Sequence, residues 1–220
     1  MPSNRFVVVG LGNFGASAAE TLYEEGHDVI GLDVKEERAD AMASHVSRSA
    51  VGDGRERDTL ETIGADGADG AIVATGDDIT ASILTTLALK DLGLEELYVK
   101  VVSRDHARVV EHMGCTDTIF PERESAINLA SRLSDQGVIN YVRMGADLSV
   151  QEMVVPDPWQ GRTLRDLSLR ADLGLTAIAI HNVDTDEVSV PPDPDQTLTA
   201  SDALLIAGRG AELNEAASAY

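Results

Sequence analysis

Residues 5–33 read RFVVVGLGNFGASAAETLYEEGHDVIGLD. An apolar strand runs into the turn Gly10-x-Gly12-x-x-Gly15, a helix follows, and a second strand ends in an acid, Asp33. Each part has a physical task in holding a nucleotide diphosphate. Gly10 permits the tight turn, Gly12 lets a phosphate approach the backbone, and Gly15 lets the helix pack closely on the strand. The pyrophosphate belongs on the helix N-terminus, where unpaired N–H groups and the dipole favour an anion. Asp33 accepts hydrogen bonds from the ribose hydroxyls. The glycine string alone is weak. Its weight comes from its context, with Asp33 18 residues after Gly15 against an expected ~20. The competing reading is a Rossmann unit that has lost its ligand.

Outward from this unit, strand and helix patterns alternate. Residues 5–10, 28–32, 47–51, 70–74, 97–102 and 118–120 read as strands. Residues 13–25, 36–44, 57–63, 78–92, 105–113 and 122–134 read as helices, with 78–92 the strongest because an acidic turn opens it. Short apolar strands alternating with helices predict an α/β, Rossmann-like, doubly wound parallel sheet. The pattern changes near Gly137. Strands are expected at 149–155, 176–181, 187–190 and 203–207, with helices at 163–169 and 211–217. These make a small α+β domain, which places the domains at 1–137 and 138–220. The segment Pro191-Pro192-Asp193-Pro194-Asp195 reads as a stiff acidic turn.

The totals exclude several function classes. The 220 residues suit one sizeable domain and a smaller one. No apolar run approaches the ~18 residues that span a bilayer, and MPSNRF carries no secretion signal. A cytoplasmic location without membrane insertion is the expectation. Cys115 is the only cysteine, so it makes no intrachain disulfide and no thiolate cluster within one chain. The net charge is −21, spread as 25 acids against 12 bases in residues 1–140 and 13 against 5 in residues 141–220. So even an acidic load argues against a nucleic-acid partner, which requires a basic face. It fits a surface adapted to high salt, which the uniformity favours, or an acidic face for a basic partner.

Taken together, the motifs resemble a known family. GLGNFG, Asp33, Gly52-Asp53-Gly54, Ala74-Thr75-Gly76-Asp77, Lys100 in VKVV, MGCTDTIFPE at 113–122 and LRDLSLRADLGLTAIAI at 164–180 occur in order. They resemble the regulatory subunits of Trk/Ktr-type potassium uptake systems. The first domain is similar to the RCK N-terminal domain, the second to the TrkA-C (RCK C-terminal) domain. The resemblance implies a nucleotide-sensing regulator that binds NAD(H), ADP or ATP, forms an octameric ring and docks on a membrane potassium-translocating subunit. It implies that Gly10, Gly12, Asn13, Phe14 and Gly15 hold the phosphates and Asp33 the ribose. Asp53 and Gly54 lie near the adenine, and Thr75, Gly76 and Asp77 follow the fourth strand. Lys100 reads either as a phosphate partner or as a solvated edge lysine.

One position departs from the family. Ktr-type members often carry arginine where this chain has Asn13, which lacks charge and reach. Strong ATP-over-ADP discrimination is therefore not expected. NADP is disfavoured, because Asp33 repels a 2′-phosphate and residues 34–37 (VKEE) offer no arginine clamp beyond a partial rescue by Lys35. Glu122 is either a ligand for magnesium, calcium or sodium at a subunit interface or an acid favoured by a helix dipole. The resemblance implies that the second domain binds cyclic di-AMP or a cation, with Arg170 and residues 178–180 in the relevant region; the other reading is a dimerisation core. The histidines show no metal spacing, and Trp159 reads as a packing anchor. The rival function is a small NAD-dependent oxidoreductase. It lacks a tyrosine–lysine or cysteine–histidine pair in sequence, and residues beyond 140 look too short and strand-poor for a substrate domain.

Overall fold

A computed structural model describes residues 3–76, 78–134, 137–144 and 147–217. The chain forms two compact units, Met1–Pro121 and Glu122–Tyr220. The parallel sheet of the first unit is built from β1 (Arg5–Val9), β2 (Asp28–Asp33), β3 (Arg48–Val51), β4 (Gly70–Val73), β5 (Glu96–Lys100) and β6 (Asp117–Ile119). Its strand order is β3-β2-β1-β4-β5-β6, every described neighbour pairing in parallel. The helices between strands are α1 (Asn13–Glu24), α2 (Glu36–Met42), α3 (Arg57–Ile63), α4 (Ile79–Asp91) and α5 (Arg104–His112).

Alternation along β1 divides the core between the two sheet faces. Val7 and Val9 pack with Leu60 and Ile63 of α3, Leu89 of α4 and Val110 of α5. Val8 points the other way, with Leu11, Ala19 of α1 and Met42 of α2. Burial on both faces explains why the strands read as continuous apolar runs. Local signals set the helix limits. Asp78 caps α4 by accepting the Ala81 N–H at 2.9 Å, and Ser103 caps α5 by accepting the His106 N–H at 3.1 Å.

The second unit holds α6 (Pro121–Ser134, all but its first residue) and a sheet of β7 (Val138–Arg143), β8 (Ser149–Val154), β9 (Thr176–Asn182), β10 (Glu187–Ser189) and β11 (Asp202–Gly208). Its order is β10-β9-β11-β8-β7, and each described pairing is antiparallel. This sheet is richer in strands than the sequence reading allows. The added strand, β7, is VINYVR, whose exposed Asn140 and Val142 obscure its alternation. The helix expected at 163–169 is two short ones, α7 (Leu164–Leu167) and α8 (Leu169–Asp172), because Ser168 between them takes a left-handed backbone at φ 48°. The last helix, α9, is Gly210–Ala217. Trp159 is buried in this unit's core beside Leu167, Leu198 and Leu204. Among the described residues, no helix is long and apolar enough to cross a membrane.

Candidate functional site

The strand order reverses between β1 and β4, and a cleft opens there at the C-terminal strand ends. This is where open α/β sheets bind ligands. Its lining includes Gly10 after β1, Asp33 ending β2, Asp53, Gly54 and Arg55 after β3, and Thr75 and Asp78 after β4. The cleft holds about 570 Å³ of open space, counting the solvent at its mouth.

The three fingerprint glycines face different constraints. A Cβ on Gly10 would lie 2.3 Å from the Ala74 carbonyl oxygen, and its φ of +96° excludes most side chains as well. A Cβ on Gly15 would lie 1.8 Å from the Gly10 carbonyl oxygen. These two glycines hold β1, α1 and the end of β4 together. Gly12 differs. Its backbone is extended (φ −72°, ψ −174°), and a Cβ there would approach only the Arg38 Nη1, at 3.8 Å. Protein packing therefore does not require glycine at position 12, whereas close approach of a ligand does. Gly12 caps α1 with no side-chain hydrogen bond, and no acid stands in the first turn. The positive end of the α1 dipole thus opens beside the glycine with space before it.

Asp33 is buried and organises the turn. One carboxylate oxygen accepts the Leu11 N–H at 2.7 Å, and the other accepts the Lys35 N–H at 2.8 Å. Its lone pairs have capacity left for ribose hydroxyls. Asp53 is clamped by Arg55: Nε reaches both carboxylate oxygens at 2.9 Å and Nη2 reaches Oδ2 at 2.5 Å. That pairing holds the Asp53 carboxyl below the usual carboxylate range. Gly54 lets the turn settle against the sheet, since a Cβ there would lie 2.5 Å from Val9 Cγ1.

The structure thus brings Gly10, Asp33, Asp53, Gly54 and Thr75 to one cleft. Half-buried Gly12, exposed Asn13, half-buried Phe14 and buried Gly15 stand at the start of α1, outside that lining. Gly76 is half-buried just beyond Thr75, and Asp77 lies outside the described residues. Lys100 is half-buried at the end of β5, two strands from β1, and does not line the cleft. Glu122 is exposed in the first turn of α6. Among the described residues, no cluster of three or more His, Cys, Asp or Glu could hold a metal ion.

Two cleft arginines escaped the sequence reading. Arg38 sits one residue beyond VKEE, and its Nη1 lies 3.5 Å from Asp33 Oδ2. Arg55 is two residues after Asp53, a separation whose contact depends on the turn. An arginine in the first turn after the strand-ending acid is the signal that could have found Arg38, since in this fold an arginine near that acid can accommodate a phosphate on the ribose.

Outside the cleft, buried Ser82 Oγ lies 3.1 Å from His106 Nε2. The Val102 N–H approaches Nδ1 at 3.5 Å. The imidazole thus ties α5 to α4 through Ser82. Half-buried Cys115 has its thiol pushed up, chiefly by burial.

A parallel sheet in this order, with a glycine turn at the switch point, defines a Rossmann-like fold, and the solved structures that match it in fold include the GsuK RCK domain. The GsuK channel superposes with a TM-score of 0.70 at 16% identity, covering 97% of this chain and 38% of that one. The GsuK channel bound to NAD superposes at 0.56 with 21% identity, covering 100% and 39%. The present chain therefore spans well under half of those solved chains. The TrkA-N domain model matches residues 6–121 and the TrkA-C domain model residues 150–219. The Ktr system potassium uptake protein A of Bacillus subtilis (strain 168) is 33% identical over 207 residues, covering 94% of this chain and 92% of its own. The chain belongs to the TrkA/Ktr family of potassium uptake proteins.

Proposed function

We propose that this chain is the nucleotide-sensing regulatory subunit of a Trk/Ktr-type potassium uptake system. Residues 1–137 act as the nucleotide-binding domain and residues 138–220 as the TrkA-C domain. The ligand is an adenine nucleotide: NAD(H), ADP or ATP. Its ribose lies on Asp33, its adenine near Asp53 and Gly54, and its phosphates over residues 10–15 and beside Thr75, Gly76 and Asp77. Lys100 adds charge at the sheet end. The chain forms a homo-oligomeric, octameric ring on the cytoplasmic side of the membrane, docked on a separate potassium-translocating protein. A cation (magnesium, calcium or sodium) at Glu122 bridges subunits. The nucleotide biases the ring between conformations and shifts the pore only by its differential affinity for them.

The observation that carries this reading is the space in front of Gly12. Packing does not demand glycine there, which supports a role in admitting a phosphate, in a chain 33% identical to a Ktr protein. GsuK structures bound to NAD and to ADP support the ligand class. Uncharged Asn13 favours NAD(H) or ADP over strict ATP selection. The test is potassium flux in vesicles holding a Trk/Ktr pore protein with and without this chain. Flux should depend on the chain and change with added ADP, ATP or NADH. Flux indifferent to the chain, or to all three nucleotides, contradicts the proposal.

A further inference from the structure

We infer that Arg38 contacts the ligand's phosphate and makes affinity depend on phosphate charge; the inference rests on the adenine-nucleotide reading of the cleft. Arg38 is the third residue of α2 and lines the cleft. Its Nη1 lies 3.5 Å from Asp33 Oδ2. Strong charge-assisted pairs close to about 2.7–2.9 Å, so this one leaves donors for a further acceptor. The side chain is 45% exposed, so ligand can reach it. The same Nη1 stands 3.8 Å from where a Gly12 Cβ would be. Gly12 is the position whose missing side chain admits the pyrophosphate. A phosphate seated over Gly12 therefore meets the Arg38 guanidinium.

The other cleft residues make this assignment specific. Arg55 is committed to Asp53 through its Nε and Nη2. Asn13 brings no charge, and Lys100 does not line the cleft. Arg38 thus supplies, from the α2 side of the glycine turn, the positive charge that position 13 lacks. Asp33 does not depend on Arg38 for its position, because the Leu11 and Lys35 N–H groups already hold both its oxygens. Removing Arg38 should therefore spare the ribose site and weaken the phosphate site.

Binding of ADP by calorimetry and of adenosine by NMR titration, on the full chain and its Arg38→Gln and Arg38→Lys variants, separates these roles. Arg38→Gln should weaken ADP about tenfold or more and adenosine less than about threefold. Arg38→Lys, which keeps the charge, should bind ADP within about threefold of the parent; Arg38→Met, which removes the charge on a chain of similar length, should lose ADP affinity as the glutamine variant does and carries the test if that variant does not fold. Unchanged ADP affinity in Arg38→Gln overturns the inference. So does an equal loss for ADP and adenosine, which would make Arg38 a support for Asp33 alone. A parent chain that binds neither ligand overturns the cleft reading itself, and this inference with it.

Discussion

The contrast between Gly12 and Gly15 gives a prediction whose size follows from the geometry. At Gly15 an added methyl lies 1.8 Å from the Gly10 carbonyl oxygen and 3.2 Å from Ala74 Cβ. The closer partner is backbone, so α1 must move off β1 by more than about 1 Å to reach ordinary contact. The cost belongs at or above the top of the overpacking range, about 3 kcal/mol. At Gly12 the same methyl meets only Arg38 Nη1 at 3.8 Å, on an extended backbone open to any residue. Alanine is a poorer N-cap than glycine by about 0.5–1 kcal/mol, and the lower entropy of the unfolded chain returns about 0.4–1 kcal/mol. Gly12→Ala should therefore stay within about 1 kcal/mol of the parent, yet place a methyl in the phosphate path and weaken ADP more than about tenfold, or 1.4 kcal/mol. Urea unfolding followed by circular dichroism, together with ADP calorimetry, reads both quantities. Equal stability of the two variants, or Gly12→Ala binding ADP as tightly as the parent, would refute the reasoning.

Three further predictions concern charge. His181 Nδ1 lies 2.7 Å from Glu152 Oε1 and Nε2 lies 3.0 Å from Asp186 Oδ1, so Glu152 first and Asp186 second raise its pKa. Its contribution to stability is fully present below the unfolded value of about 6.5 and lost as pH rises through the raised folded value; His181→Gln should flatten that fall in pH-dependent unfolding. Buried His106 has its pKa lowered by desolvation. Its contribution is fully present above about 6.5 and lost as pH falls toward the depressed value, and imidazole NMR should show the His106 and His181 midpoints displaced in opposite directions. The net charge of −21 gives self-repulsion that salt screens, so the melting temperature should rise from low to molar potassium chloride; a flat or falling trend contradicts a salt-adapted surface.

The parts of the site legible in the sequence are those whose requirement is local. The glycines at 10, 12 and 15 fall within six residues of one turn and its helix start, and Asp33 closes the strand that follows. That the sheet is parallel also followed from apolar runs alternating with helices, though the order of its strands did not. What stayed hidden depends on tertiary placement. Arg38 belongs to the cleft because α2 turns back toward Asp33, and Arg55 because its turn folds the guanidinium onto Asp53. Lys100 lies away from the lining because β5 is separated from β1 by β4, a fact of strand order. In the second unit, LRDLSLRAD has a continuous helical period, but left-handed Ser168 divides it. Strand β7 takes its place from its register with β8, Tyr141 opposite Gln151, rather than from a clean alternation of its own.

The central claim is that the cleft at Asp33, with the glycine turn through Gly12 beside it, is a nucleotide site. Mass spectrometry of the supernatant from denatured, purified protein, joined to calorimetric titration with ADP, ATP and NADH, tests it most directly. The account predicts an adenine nucleotide released by the parent chain or bound on titration, and neither for the Gly12→Asp, Asp33→Ala double variant. A parent chain that releases none and binds none of the three, or a folded double variant that binds as the parent does, would contradict it.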